Sequence, residues 1–162
     1  MSQNVTLPDP LVFARDADSL CGEFGSGELS RLSASVLELG AVRWRVSGAC
    51  LEDGRAALDV SAQGVAVLRC ERCLGPLDWA FAVARRLSLY RADEDIPEEE
   101  LEDESCDAIH FAGALDVAGL VEDEILLELP VFARHEACEP PGPWEAGEAL
   151  SPFAVLAQLK RS

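Results

Sequence analysis

The sequence predicts an α+β domain: a strongly curved antiparallel β-sheet, a partial barrel, packed with one main helix and followed by a short C-terminal helix. Three observations predict it. Apolar and polar residues alternate through much of residues 42–90, the period of half-buried strands. The spacing turns helical at Val117, Leu120, Val121 and Ile125, after Asp116 as N-cap and before Pro130 as a stop. Ser151 and Pro152 then open a last stretch with Phe153, Leu156 and Leu159 on one side and basic residues at its end. A chain of 162 residues is enough for one core. The expected organisation is an extended N-terminal arm and short helix over residues 1–40, a sheet-plus-helix core over 41–138 with an acidic loop at 93–107, and a proline- and glycine-rich linker with a C-terminal helix over 139–162.

Residues 7–13 read as an extended arm, because Pro8 and Pro10 withhold donors and strand formers follow. Residues 16–27 are polar and glycine-spaced, and a short helix is expected at 27–31. Val42, Trp44 and Val46 then alternate with Arg43, Arg45 and Ser47. Glu52-Asp53-Gly54 signals a hairpin of type I′, and a second strand returns over 55–61. Gln63-Gly64 suggests a bulge before a third strand, 65–69, which runs into Cys70. A fourth strand spans 77–90, with an irregularity at Arg85-Arg86. The acidic run 93–107 holds too few apolar groups to offset its ordering entropy and reads as a flexible loop. Residues 107–111 suit one more short strand. Glu124 and Glu128, four apart on the main helix, read as a solvated face rather than as an acid–base pair.

Two short pairings carry the chemistry. Cys70 and Cys73 form a CxxC followed by Leu74-Gly75-Pro76, the local form of a zinc knuckle in which Gly75 lets the backbone turn beneath the ion. His135 and Cys138 form an HxxC about sixty residues later. Together they are a possible tetrahedral set for a structural zinc that ties the centre of the chain to the segment after the helix. The competing reading makes Cys70 and Cys73 small buried hydrophobes and His135 a bystander. A redox pair is disfavoured, because reactive CxxC motifs sit at helix N-termini and here leucine, glycine and proline follow.

The net charge of −17 argues against nucleic acid as a whole-molecule partner. It is unevenly spread. Between Arg43 and Arg91 eight arginines face five acids, a balance of +3, leaving −20 for the remainder. A mildly basic middle between acidic flanks fits an RNA face, a surface for basic proteins, or simply the solvent side of a sheet. No stretch approaches a membrane span and no secretory signal is evident, so a cytoplasmic protein with free or metal-bound thiols is expected. Phosphate loops, nucleophile elbows and HExxH are absent from the sequence, and His110 reads as a strand residue.

Cys70-Glu-Arg-Cys73-Leu74, the stretch 121–130 (VEDEILLELP) before His135 and Cys138, and the terminal SPFAVLAQLK of 151–160 together resemble the YceD family, the large ribosomal RNA subunit accumulation proteins. The resemblance runs from about residue 42 onward; Ser151 stands where asparagine often precedes the proline, and the spacing from His135 to Cys138 is tight against some relatives. It implies a bacterial cytosolic factor supporting synthesis, processing or stability of 23S ribosomal RNA, and not an enzyme. The expected partners are large-subunit RNA or ribosomal and assembly proteins, with no membrane and no small-molecule substrate. With the charge split, this favours acidic flanks engaging a basic protein, and a tail docking through Phe153, Leu156 and Leu159. One alternative is direct RNA binding by a sheet face bearing Arg43, Arg45, Arg85 and Arg86, with Trp44 and Trp79 as stacking groups or as core residues. A second is a zinc-dependent or redox protein that uses the CxxC.

Overall fold

The computed structural model describes residues 5–101 and 105–142. The terminal helix expected at 151–161, with Phe153, Leu156 and Leu159, lies outside the described residues. Within them the chain is α+β, in the order β1 (Thr6–Leu7), α1 (Pro10–Arg15), β2 (Ser19–Phe24), α2 (Ser30–Ser35), β3 (Glu38–Leu39), β4 (Val42–Cys50), β5 (Ala56–Arg69), β6 (Pro76–Arg91), α3 (Glu98–Leu101), β7 (Asp107–Phe111), β8 (Leu115–Asp116) and α4 (Val117–Glu128).

Strands β4, β5 and β6 form two successive hairpins, and β5 and β6 pair without interruption from Ala57↔Ser88 to Arg69↔Pro76. The expected irregularity at Arg85-Arg86 is absent, since these residues pair in register with Val60 and Asp59. The two strands read as 55–61 and 65–69 are one, β5. The bulge also lies elsewhere than expected. Residues 40–42 stand opposite residues 64–65 between the pairs Leu39↔Ala66 and Arg43↔Gln63, so the extra residue belongs to the β3–β4 side, where the Gly40 N–H still donates to the Val65 carbonyl at 3.0 Å. A small, β-breaking pair in one strand marked the place, but the sequence alone did not assign it to the correct partner.

The sheet is open. Its order is β2-β4-β5-β6-β7, with β3 beside β5, and among the described residues the two outer strands β2 and β7 do not pair, so no barrel closes. It is also not wholly antiparallel, because β7 joins β6 in parallel, from Leu87↔Asp107 to Arg91↔Phe111. At the other end β2 comes from the stretch read as polar and glycine-spaced, and pairs with β4 from Ser19↔Ser47 to Phe24↔Val42. Polar side chains are tolerated there because an edge strand faces solvent, and only Phe24 is buried.

The arm expected at residues 7–13 is largely helix. Asp9 caps α1 with its side chain accepting from the Leu11 and Val12 N–H groups, and Pro10 occupies a first-turn position where a missing N–H costs nothing. The helix expected at 27–31 falls at α2 instead. The 51–55 turn is not type I′: Gly54 has φ +85 but Asp53 does not, and the Asp53 carboxylate accepts the Arg55 N–H at 2.9 Å. Helix α4 forms over the expected residues, with Asp116 accepting from the Ala118 N–H.

All the packing helices but α3 lie on one face of the sheet. Val42, Trp44, Val46, Leu58, Val60, Ala62, Phe81, Val83, Leu87 and Leu89 point into a core shared with Leu32, Val117, Val121 and Ile125. Helix α1 sits close on β4 because Gly48 carries no side chain: a Cβ there would meet the Phe13 carbonyl and lie 2.7 Å from Ala14 Cα. The antiparallel pair β1–β8, and the Val117 N–H donating to the Val5 carbonyl at 3.0 Å, fasten the N-terminus to the start of α4.

Part of the acidic run packs on the sheet domain. Residues 98–101 form the single turn α3, and Glu100 pairs with Arg55 at 3.1 Å and accepts from Ser88 Oγ at 3.1 Å. Arg55 in turn lies 4.0 Å over the Tyr90 ring. Glu100 thus ties α3 both to the β4–β5 loop, through Arg55, and to β6, through Ser88.

Candidate metal centre

The centre begins where β5 ends. Beyond the last pair, Arg69↔Pro76, the Cys70 N–H donates to the Gly75 carbonyl at 2.8 Å and the Leu74 N–H to the Cys70 carbonyl at 2.9 Å, closing a tight loop. The left-handed residue in this loop is Leu74, with φ 63, and not Gly75 as the sequence suggested. A second segment arrives from the end of α4. Its Ala133 carbonyl accepts the Glu71 N–H at 2.8 Å, and Ala133 itself is buried. This bond docks residues 131–138 on the knuckle.

The four predicted ligands converge. Cys70, Cys73, His135 and Cys138 each offer one ligand atom, all within 4.8 Å of one another. Cys70 Sγ lies 3.8 Å from Cys138 Sγ, and Cys73 Sγ lies 3.3 Å from His135 Nδ1. A tetrahedral zinc with bonds of about 2.3 Å to sulfur and about 2.0 Å to nitrogen holds its ligand atoms roughly 3.5–4 Å apart, so these two pairs are near the required spacing, while the cluster's limit of 4.8 Å is somewhat wider. His135 Nε2–H donates to the Pro76 carbonyl at 2.9 Å, which fixes the tautomer and leaves the Nδ1 lone pair facing the sulfurs. Cys70 is buried and the other three are half-buried.

Backbone N–H groups are also aimed at sulfur. That of Cys73 foremost, with those of His135 and Arg72, holds the Cys70 thiol down at about 5, against the opposing effect of burial. Burial pushes the Cys138 thiol up, and the neighbouring Cys70 and Cys73 add to the rise. A bound cation would favour the thiolate at every cysteine of the cluster. The residues present therefore fit a Cys3His zinc site with four protein ligands.

The arginines are not brought together as one group. Arg43, Arg45 and Arg86 project from the sheet face opposite α4, whereas Arg85 projects from the α4 side and pairs with Glu128 at 2.9 Å. Arg86 is held by Asp59 through bonds of 2.7 and 3.0 Å. Among the described residues neither Arg43 nor Arg45 has an ion-pair partner; Arg45 only approaches Ser19 Oγ at 3.5 Å. Both tryptophans face the core side, Trp44 stacked on Phe24 at 4.9 Å and Trp79 tilted against Phe81 at 4.9 Å. Next to Arg45 and Arg86 the opposite face carries an open cavity of about 800 Å³, also lined by Asp59, Glu100 and Cys106. Sequence reasoning missed it, because its walls come from β4, β5, β6 and the acidic run.

Glu124 was misread as well: it is buried on α4, while Glu128 is exposed and tied to Arg85. No helix among the described residues is long and apolar enough to cross a membrane.

Fold and site define a class: an open-sheet α+β domain whose centre and C-terminal segment meet at a cluster of three cysteines and one histidine that could hold a metal. Within it the chain belongs to the YceD family, whose description, Large ribosomal RNA subunit accumulation protein YceD, matches residues 58–160. It is similar over nearly its whole length to the protein of that name from Haemophilus influenzae, with 30% identity over 190 aligned residues covering 98% of this chain and 99% of that relative. No solved structure matches.

Proposed function

We propose that this protein is a non-enzymatic, cytoplasmic factor in ribosome biogenesis that supports synthesis, processing or stability of 23S ribosomal RNA, acting through protein partners. Membership of the YceD family along nearly the whole chain carries the reading, because the relative's name states a role in accumulation of large-subunit RNA. The charge distribution supports protein partners: a chain of net charge −17 gains little from counterion release on RNA, whereas its acidic flanks complement basic ribosomal proteins. In this reading zinc at Cys70, Cys73, His135 and Cys138 is structural. Four protein ligands leave no open position for a substrate or water, which weighs against a zinc enzyme.

Direct RNA binding is the second reading, favoured by Arg43 and Arg45 lying side by side and without ion-pair partners among the described residues. It loses its stacking groups, since Trp44 and Trp79 pack on the core side.

Removal of the protein from its host should lower the ratio of 23S to 16S ribosomal RNA, restored by the intact gene; an unchanged ratio rejects the role. For the mechanism, purified protein is titrated with ribosomal proteins and with 23S fragments. Tight RNA binding with a steep salt slope, and no binding to ribosomal protein, would transfer the case to the second reading.

A further inference from the structure

Where α4 ends, the chain leaves three large apolar side chains in solvent within six residues: Leu127 is 76% exposed, Val131 83% and Phe132 75%. Single exposed apolar residues need no explanation, but a run of this kind beside an ordered centre does. The bond from the Glu71 N–H to the Ala133 carbonyl, at 2.8 Å, sets this run directly against the knuckle, whose own Leu74 is 55% exposed. The same knuckle holds Cys138, and the last described residue, Gly142, follows four positions later.

The remaining chain, residues 143–162, therefore departs from the site at which this apolar surface lies. Its sequence places Phe153, Leu156 and Leu159 on one side of an expected helix too short to be stable alone in water. Residues 143–150 span at most about 30 Å when extended, ample to carry the segment back to the end of α4.

We infer that residues 151–161 of this same chain dock on the surface formed by Leu127, Val131 and Phe132, covering it with Phe153, Leu156 and Leu159. The metal centre fixes the point from which the segment departs. The occupant is thus intramolecular rather than a partner protein, and the inference does not depend on the proposed role in ribosome biogenesis.

Hydrogen exchange measured by mass spectrometry on the full-length protein tests it. Amides of 151–161 should exchange at least about tenfold more slowly than an unstructured peptide, independently of protein concentration. Phe132→Glu and, separately, Leu156→Glu should each abolish that protection and also raise exchange across 127–134, with the sheet unaffected. Phe132 is so exposed that its replacement removes no core contact. Unprotected 151–161 in the parent protein overturns the inference. Protection that survives Phe132→Glu places the docking surface elsewhere and also overturns it. Protection that grows with concentration makes a second copy the occupant and overturns it too.

Discussion

The Glu122 carboxylate accepts the backbone N–H of Leu32 at 2.9 Å, so a side chain of α4 caps the N-terminal turn of α2 from ninety residues away in the chain. Helix α2 needs it, because its own N-cap residue, Leu29, supplies no side-chain acceptor. The second carboxylate oxygen takes Arg31 Nε at 2.8 Å, while Arg31 also reaches Asp123 at 2.6 Å and the Gly119 carbonyl at 3.2 Å. Glu122 and Leu32 are buried and Arg31 is half-exposed. Glu122→Ala should therefore cost about 3 kcal/mol in urea unfolding, the penalty of a buried unpaired N–H plus a lost ion pair. Arg31→Ala should cost clearly less, because solvent screens its exposed guanidinium. Equal costs for the two variants would show that the ion pair, and not the cap, is what matters.

That contact also marks what could be read in advance. Helix α4 was legible because its cap, apolar spacing and terminal proline all lie within one segment. The cluster of Cys70, Cys73, His135 and Cys138 was legible because CxxC and HxxC are local spacings with specific chemistry. Neither Glu122 nor Glu124 was, since a glutamate next to a solvated helix face has the same sequence context whether or not a distant helix lands on it. Strand β2 was hidden for a related reason: Ser19, Cys21 and Glu23 are acceptable only because the strand is an edge. Pro10 was read as an extended-chain residue although, after Asp9, it equally marks a helix start.

The ligand set predicts stoichiometric metal. Protein purified without chelator should carry about one zinc per chain, and Cys73→Ser should reduce that to a small fraction. His135→Gln should also weaken retention, by tenfold or more, since it removes both the Nδ1 ligand and the Nε2–H bond to Pro76 that orients it. Elemental analysis after dialysis reads both. A parent protein without zinc would leave the four side chains as a thiol–imidazole cluster and reject the cofactor.

Leu74 has φ 63, a conformation that costs a residue with a Cβ on the order of 1 kcal/mol, and its side chain is 55% exposed. Leu74→Gly should thus stabilise the protein or leave it unchanged, where a leucine-to-glycine change in an ordinary loop destabilises. Zinc retention should be unaffected, because the N–H donated to the Cys70 carbonyl is kept. Clear destabilisation in thermal unfolding would mean that Leu74 is covered in the full-length protein, which the docking surface beside it makes informative in its own right.

Glu124 is buried, and one of its carboxylate oxygens, Oε2, has no hydrogen-bond partner among the described residues. Burial above all, with Asp107 and Asp123 adding and Arg85 opposing, raises its pKa above the ordinary carboxylate value. The folded protein then binds a proton at pH values where the unfolded chain has released it. Stability from this group consequently rises as pH falls through the raised folded pKa, and the cost of the charged form is fully present only above it. Glu124→Gln removes that cost, so the variant should be more stable than the parent at about pH 8, by on the order of 1 kcal/mol. The difference should shrink steadily as the pH is lowered toward about 4.3, the value of an unperturbed glutamate. Urea midpoints for parent and variant at each pH, taken as differences, cancel the titration of the cysteine cluster. A difference that stays constant across the range would mean that Glu124 ionises alike in both states, and a variant less stable at pH 8 would mean that its charge is paired after all.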